Sequence, residues 1–153
     1  MQDDTLNKIY EQLSSVNIMQ LATSDNNLPW ICSLHFYADK GINLYWISRE
    51  DRRHSKEIKK NSKVSAVILI HENTSPEDYV IGLTVTGEAE LIGEKPGRDI
   101  ATEFAGKLNK PANLISDIEN GANPHKFYRL KPSELVLFDT KNFPQDPRQV
   151  IVL

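Results

Sequence analysis

Apolar and polar residues alternate in several short segments of this chain, and a period of two is typical of β-strands with one buried face. The clearest case is residues 30–37, where every even-numbered position from Trp30 to Phe36 is hydrophobic. A turn at 39–41 would join this strand to the next as a hairpin, with Gly41 supplying the positive φ angle of a tight turn. The pattern predicts six or seven strands, at about 19–23, 30–37, 42–48, 64–71, 80–92, 125–130 and 135–139.

Helical periodicity marks most of the remaining chain. Residues 4–15 repeat apolar positions at spacings of three and four, which predicts an amphipathic helix that covers one part of the sheet. Residues 51–60 predict a strongly charged helix with Ile58 as its main apolar anchor. Two further short helices are expected within residues 96–120, because prolines stand where each would begin.

Strands that follow one another through short turns indicate an antiparallel sheet rather than a doubly wound parallel one. We therefore predict a mainly β fold, an antiparallel barrel with peripheral helices. The length of 153 residues suits one domain, so residues 1–153 are expected to form a single barrel domain with 96–120 as a helical insertion. A polar loop is expected at 72–78. The tail, 142–153, ends in apolar residues that should pack on the barrel or on a second subunit.

Composition and charge exclude several classes of protein. The formal net charge is −3, whereas a protein that coats nucleic acid is expected to be basic. Cys32 is the single cysteine, which excludes an internal disulfide and a multi-cysteine metal centre. The longest strongly apolar stretch, Val64–Ile70, is far shorter than the ~20 residues of a membrane helix, and the chain begins with polar residues rather than a signal peptide. We expect a cytoplasmic protein with no nucleic-acid or membrane partner.

The segment 49–63 stands out because it carries seven basic and three acidic residues. Here a strand runs through a basic turn into a helix, and the free N–H groups of a first helical turn attract anions. Arg53 adds a planar fork that suits phosphate oxygens, and His54 adds a further donor. The alternative is a solvated helix with one basic face. Neither a P-loop nor a GxGxxG motif is present.

Other residues with reactive or metal-binding side chains have weaker sequence support for a functional role. Cys32 on an alternating strand is interpreted as a small buried hydrophobic residue rather than a nucleophile. His35, His71 and His125 lack the spacing of metal ligands, so no metal site is predicted. No side chain stands out as a catalytic acid or base. Three aromatic residues are interpreted as core or interface rather than as a base-stacking platform: Trp30, Tyr45 and Trp46.

The order of elements resembles the pyridoxamine 5'-phosphate oxidase-like, flavin-binding split-barrel family. The clearest segment is 28–68, LPWICSLHFYADKGINLYWISREDRRHSKEIKKNSKVSAVI. In that family a hairpin of this shape leads into a turn with an Arg-Lys pair and then into a helix, and here the pair falls on Arg53 and His54. Leu83–Ile92 resembles the next long strand, and Tyr128–Asp139 resembles the closing hairpin.

The resemblance implies a split antiparallel barrel and a homodimer that binds FMN in a groove between subunits. By matched position, Arg53 and His54 would contact the phosphate, and Ile47 and Ser48 would lie along the ribityl chain or ring edge. Three consecutive residues would line the isoalloxazine face: Cys32, Ser33 and Leu34.

This chain departs from the family pattern at three positions in and just after the predicted charged helix. The usual lysine is His54, a weaker and pH-dependent partner for phosphate. The usual asparagine within the helix is Glu57, and the usual proline after it is Ser62. The basic C-terminal substrate motif of authentic pyridoxamine phosphate oxidases has no counterpart, which argues against oxidation of pyridoxamine phosphate.

The sequence therefore predicts an FMN-binding flavoprotein, an oxidoreductase with a small-molecule substrate that the residues do not identify. Two alternatives stay open. A deazaflavin or haem could occupy the same groove, and the barrel could hold its ligand without turnover.

Overall fold

One antiparallel sheet of eight strands forms the centre of the computed structural model, which describes residues 2–71, 75 and 78–153. The strands are β1 (Ile18–Asp25), β2 (Leu28–His35), β3 (Tyr37–Ala38), β4 (Leu44–Ser48), β5 (Lys63–His71), β6 (Ile81–Gly93), β7 (Lys126–Asp139) and β8 (Arg148–Val152). The helices are α1 (Gln2–Leu13), α2 (Arg53–Lys60), α3 (Arg98–Lys107) and α4 (Leu114–Glu119). The strand order is β2-β1-β5-β6-β7-β4-β3, and β8 pairs with β7.

The sheet curls until its two end strands come close together at one point. β2 and β3 stand at opposite ends of the strand order, yet Phe36 is the single residue between them. Consecutive Cα atoms are only ~3.8 Å apart, so the two edges must approach each other at this point. The result is a half-closed antiparallel barrel with helices outside, and it confirms the predicted fold class.

Alternate residues of the strands fill the barrel. On β1, Met19 and Leu21 are fully buried, and α1 closes one end with Ile9 and Leu13. Trp46 is fully buried as well, as predicted, with its ring 5.7 Å from that of Tyr128. A second, smaller cluster lies under α3 and α4, where Phe104 packs edge-on against Phe127, with ring centroids 5.3 Å apart.

The predicted turn near residue 132 is instead a β-bulge inside one long strand. β7 runs unbroken through Pro132, and its register against β6 shifts between Thr86 and Gly87. The other edge of β7 pairs with β4 through residues 126–130 and with β8 through 134–138. Pro132 lies between these two partners, so its missing N–H removes no ladder hydrogen bond there. The predicted hairpin at Tyr128–Asp139 was therefore wrong.

The turn at 39–41 forms, but Gly41 does not supply its positive φ angle. Ile42 does, at φ 61°, an unusual conformation for a β-branched residue. The carboxylate of Asp39 accepts hydrogen bonds from the backbone N–H of Gly41 (2.9 Å) and of Asn43 (3.0 Å). Complete burial of the Ile42 side chain then stabilises the strained backbone.

The helices and the C-terminal tail lie close to the positions predicted for them from the sequence. The helix predicted at 4–15 spans Gln2–Leu13, and the helix predicted at 51–60 begins at Arg53. The tail packs on its own barrel as β8, and Gln2 Nε2 donates a hydrogen bond to the carbonyl of Val152 (3.1 Å). The loop predicted at 72–78 falls mostly outside the described residues. None of the helices in the described part of the chain is long and apolar enough to cross a membrane.

Candidate functional site

The candidate site lies where β4 ends and α2 begins. The chain leaves β4 at Ser48, turns through residues 49–52 and enters α2 at Arg53. Ile58 anchors the helix, which packs against β1 and β2. Arg52 is the N-cap residue and makes no side-chain capping bond to the helix. The first-turn N–H groups are therefore not satisfied by a cap, and such groups favour an anion.

Arg53 is held in place from two sides. Its Nε donates to Oε2 of Glu57 at 2.9 Å, and its guanidinium carbon lies 4.2 Å from the ring centroid of Trp30. The Glu57 carboxylate is buried, and its Oε1 accepts a hydrogen bond from Thr23 Oγ1 at 3.1 Å. Within the described chain Arg53 hydrogen-bonds through Nε, so its two terminal nitrogens remain for a ligand. The side chain is half-exposed, which leaves the fork accessible.

His54 is buried beside Arg53 and faces the barrel. Its Nε2 is 2.7 Å from the hydroxyl oxygen of Ser48, which is also buried. Burial lowers the pKa of His54, the charge of Arg52 lowers it further, and Glu57 opposes both. The imidazole is therefore neutral at pH 7, and this corner carries one positive charge fewer than the family's lysine would give it.

The pH dependence of the free energy of unfolding should show that His54 is neutral in the fold. Because its pKa in the fold lies below the ordinary value of about 6.5, the unfolded chain binds more protons, and acid favours unfolding. We expect the free energy of unfolding to fall as the pH drops below about 6.5 in urea titrations, and His54→Gln to flatten that fall. The matched control is His35→Gln, at an exposed position of β2. An unchanged slope in His54→Gln would contradict the assignment.

The three predicted residues of β2 do not share a face. Cys32 and Leu34 are half-buried on the side that packs against the core, whereas Ser33 is exposed on the opposite face. There the Ser33 hydroxyl oxygen accepts a weak hydrogen bond from Gln20 Nε2 at 3.4 Å. Burial raises the pKa of the Cys32 thiol, and the charge of Glu57 raises it further. The thiol therefore stays protonated, in agreement with its interpretation as a small hydrophobic residue.

The structure separates the two predicted residues of β4 as well. Ser48 faces the barrel beside His54, but Ile47 packs into the cluster beneath α3 and α4. Arg53, His54 and Ser48 thus lie together, while Ile47 and Ser33 project elsewhere. Whether any of these residues contacts a cofactor stays a prediction.

Sequence reasoning missed the two residues that orient Arg53. Trp30 was interpreted as core or interface; at 39% exposed in this chain it is not core, and it lies against the guanidinium, while its place in an interface stays a prediction. Glu57 was noted as a departure from the family pattern, although its spacing of four residues from Arg53 on one helix is a recognised signal of an ion pair. Thr23, which fixes the carboxylate, lies in another strand and leaves no local signal.

A groove of about 410 Å³ opens beside Arg53. Its walls come from the turn after β1 and from the exposed side of α2, and they mix both charges. The lining includes Asp25, Leu28, Lys56 and Lys60. The oriented guanidinium therefore projects into a concave surface large enough for a phosphate group and the start of its chain.

The protein is a half-closed antiparallel barrel with a cationic corner after its fourth strand. Its architecture is that of the split-barrel proteins. A family model described as pyridoxamine 5'-phosphate oxidase matches residues 6–138. The chain belongs to this family, which confirms the resemblance seen in its sequence.

Known proteins similar to this chain are distant in sequence. A UPF0306 protein of Pasteurella multocida is 22% identical over 134 residues, which cover 87% of each chain. A solved structure of a haem binding protein from Mycobacterium smegmatis has a TM-score of 0.71 at 16% identity, covering 96% of this chain and 57% of that one. A solved FAD-binding protein from Mesorhizobium loti has a TM-score of 0.61 at 18% identity, covering 84% and 90%. These two structures support the fold alone.

Proposed function

We propose that this protein binds FMN at the α2 corner and acts as a flavin-dependent oxidoreductase on a small molecule. The observation that carries the proposal is the clamped guanidinium of Arg53, which is oriented by Glu57 and Trp30 and adjoins an uncapped helix start. A solvated basic helix face, the alternative considered for this segment, needs no buried carboxylate to fix one of its arginines. The fixed fork is better suited to holding a phosphate.

The residues present fit the phosphate end of FMN. Two terminal nitrogens of Arg53 can bind two phosphate oxygens, and each charge-assisted bond contributes about 1.5–3 kcal/mol. Glu57 reduces the positive charge of this corner, and neutral His54 adds none. The bound phosphate would therefore rely on Arg53 and on backbone N–H groups of the first turn of α2.

The remaining contacts are assigned by matched position. Ser48, hydrogen-bonded to His54, would meet the ribityl chain, and Cys32 and Leu34 would form an apolar wall for the ring. Ser33 faces the outer surface of the sheet, so its contact would come from the side of a second subunit. FMN would supply the electron-transfer chemistry, and the protein would bind and orient it.

The test compares FMN with riboflavin, which lacks the phosphate. We expect the purified protein to bind FMN with micromolar or better affinity, and Arg53→Ala to weaken FMN binding about tenfold or more, because one charged contact is lost. Riboflavin binding should not change. The matched control is Arg49→Ala, since Arg49 is exposed and pairs with Asp51 at the surface. Titration of flavin fluorescence measures the affinity of the unmodified protein and of both variants for each ligand. If Arg53→Ala lost equal affinity for FMN and for riboflavin, the loss would point to misfolding rather than to a missing phosphate contact.

Haem is the second candidate, since the Mycobacterium smegmatis protein that shares this fold is described as haem binding. An absorption spectrum of protein purified from its native host distinguishes haem, with its Soret band, from a flavin or a deazaflavin. Haem uptake without FMN uptake would replace the flavin proposal. A flavin that binds but is not reduced by NAD(P)H, with or without an electron acceptor, would favour a non-catalytic binding module.

We also infer that the outer face of the sheet pairs with a second copy of this chain. One register row across it consists of Ser33, Gln20, Val67, Thr84, Val136 and Val150, and none of these is charged. The next row begins with Ile31, which is 62% exposed, and ends in Val152, which is 70% exposed, and Glu134 is its one charged residue. A surface whose central row is uncharged and largely apolar is typical of an interface core rather than of a solvated sheet face.

A further inference from the structure

The groove of about 410 Å³ extends past the Arg53 fork, between a face of α2 and the turn that joins β1 to β2. Its α2 wall consists of side chains three or four residues apart, which lie together on one helix face: Arg53, Lys56, Glu57 and Lys60. Clefts that hold ligands of drug size have volumes of about 300–1,000 Å³. The groove therefore has room for a group much larger than one phosphate.

The groove lies on the opposite side of Arg53 from the residues predicted to contact the flavin ring. Leu28, Trp30 and Cys32 follow one another on the same face of β2, about 7 Å apart, because alternate residues of a strand share a face. Trp30 contacts the Arg53 guanidinium, whereas Leu28 lines the groove and Cys32 does not. A ligand that ran along this face from Cys32 would reach Arg53 first and the groove second.

Lys56 is the cation of the groove that has no ion pair within the described chain. Arg53 pairs with Glu57 (2.9 Å), and Lys60 pairs with Asp25 (3.3 Å). No carboxylate oxygen of the described residues lies within 4 Å of the Lys56 amine, and the residue is exposed. The groove thus offers a ligand the terminal nitrogens of Arg53 and, about one helical turn away, the ammonium of Lys56.

The charges of this surface suit a diphosphate diester better than a terminal phosphate. A terminal phosphate carries about −1.5 to −2 charges at pH 7. The positive charge of Arg53 is already shared with the buried carboxylate of Glu57. In a diphosphate diester each phosphate keeps a single negative charge, so one phosphate can bind the Arg53 fork while the next binds Lys56.

The wall opposite α2 supplies contacts that suit an adenine nucleoside. Leu28 is 64% exposed and offers an apolar surface to a flat base. Asn26 takes φ 49° in the turn, and its side-chain amide carries the donor and the acceptor that pair with N7 and N6 of adenine in nucleic-acid recognition. The Asp51 carboxylate, which also lines the groove, can accept hydrogen bonds from ribose hydroxyls, as acidic residues do in dinucleotide-binding proteins.

We infer that the groove takes the adenosine diphosphate tail of FAD, and that the protein therefore binds FAD more tightly than FMN. This inference rests on the proposed flavin site and adds which flavin that site prefers. Arg53 and Lys56 would hold the diphosphate, and Leu28 and Asn26 would contact the adenine. FMN would still bind, through the Arg53 contacts that it shares with FAD.

Isothermal titration calorimetry with riboflavin, FMN and FAD tests the inference on the whole protein. We expect FAD to bind at least about tenfold more tightly than FMN, because the tail adds a second phosphate contact and a base contact. FMN binding that is as tight as FAD binding, or tighter, overturns the inference and leaves the proposed flavin site standing. If neither FMN nor FAD binds, the proposed flavin site fails and this inference fails with it.

Lys56→Gln tests the tail separately from the rest of the ligand. We expect its affinity for FAD to fall about fivefold, a modest loss because the amine is exposed to solvent, and its affinity for FMN to stay within about twofold. The matched control is Lys59→Gln, since Lys59 is an exposed lysine of the same helix that does not line the groove. An unchanged FAD affinity in Lys56→Gln, or equal losses for FMN and FAD, would overturn the assignment of Lys56 to the tail.

ADP distinguishes a tail that belongs to the flavin from a nucleotide that binds by itself. We expect ADP to compete with FAD, because both would occupy the groove. ADP should bind FMN-loaded protein at least about tenfold more weakly than ligand-free protein, because FMN already occupies Arg53. Equal binding of ADP to FMN-loaded and ligand-free protein would assign the groove to a separate nucleotide and would overturn the inference.

Discussion

Replacing Gly87 with alanine should unfold the barrel or destabilise it by about 3 kcal/mol or more, at the upper end of the cost of overpacking. A Cβ atom at this position would lie 2.0 Å from the backbone oxygen of Lys131 and 2.9 Å from the Cα atom of Pro132. Both contacts involve backbone, so no side-chain rotation can relieve them. β6 and β7 would have to separate at the bulge, where the longest strand pair of the sheet is already irregular.

The matched control is Gly82→Ala, five residues earlier on the same strand. A Cβ atom there meets nothing closer than the backbone oxygen of Ile68 at 3.9 Å. Because alanine also restricts the unfolded chain more than glycine does, we expect this variant to be neutral or slightly more stable. Urea unfolding of both variants measures the contrast. Similar stabilities for the two proteins would show that the close approach at Gly87 is not needed for the fold.

Val67→Lys should convert the proposed dimer to a monomer. Val67 occupies a central position of the uncharged row on the outer face and is 45% exposed in one chain. In a two-fold interface each copy would place an ammonium group in apolar surroundings, and burying an unpaired charge costs several kcal/mol. We expect the dissociation constant to rise a hundredfold or more, measured by sedimentation equilibrium.

Leu91→Lys provides the control for that experiment. Leu91 is 44% exposed, almost the same as Val67, but alternation along β6 puts it on the face opposite the outer surface. The same charge added there should leave association unchanged. If Val67→Lys stays dimeric while Leu91→Lys dissociates, the subunits associate through the other side of the barrel. The FMN affinity of monomeric Val67→Lys then measures how much of the cofactor site a second subunit supplies.

The sequence predicted the strands well where burial alternates and poorly where a turn depends on distant contacts. Alternation located β6 because every second residue from Ile81 to Ala89 is buried. Pro132 and Ser133 look like a turn locally, and only the exchange of partners along β7 keeps the strand continuous there. Ile42 likewise takes the strained angle because its side chain is needed in the core, a requirement that the turn residues themselves do not reveal.

The candidate site was predictable in its location but not in its detail. The basic turn after β4 pointed to Arg53, and the structure fixes that residue between a buried acid and an indole ring. The buried carboxylate of Glu57 accepts a hydrogen bond from Thr23, and the buried ring of His54 shares a hydrogen bond with Ser48. Contacts of this kind depend on how strands far apart in the chain come together, so one residue pattern cannot specify them.

The hydrogen bond between Gln2 and Val152 has a practical consequence for the experiments on association. It brings the first helix and the last strand to one corner of the molecule, and Val152 is part of the outer face. A purification tag fused before Gln2 or after Val152 would therefore emerge beside the surface that we expect to pair. Tags should be removed before self-association is measured, because a bulky fusion there would block pairing and give the same monomeric result as Val67→Lys.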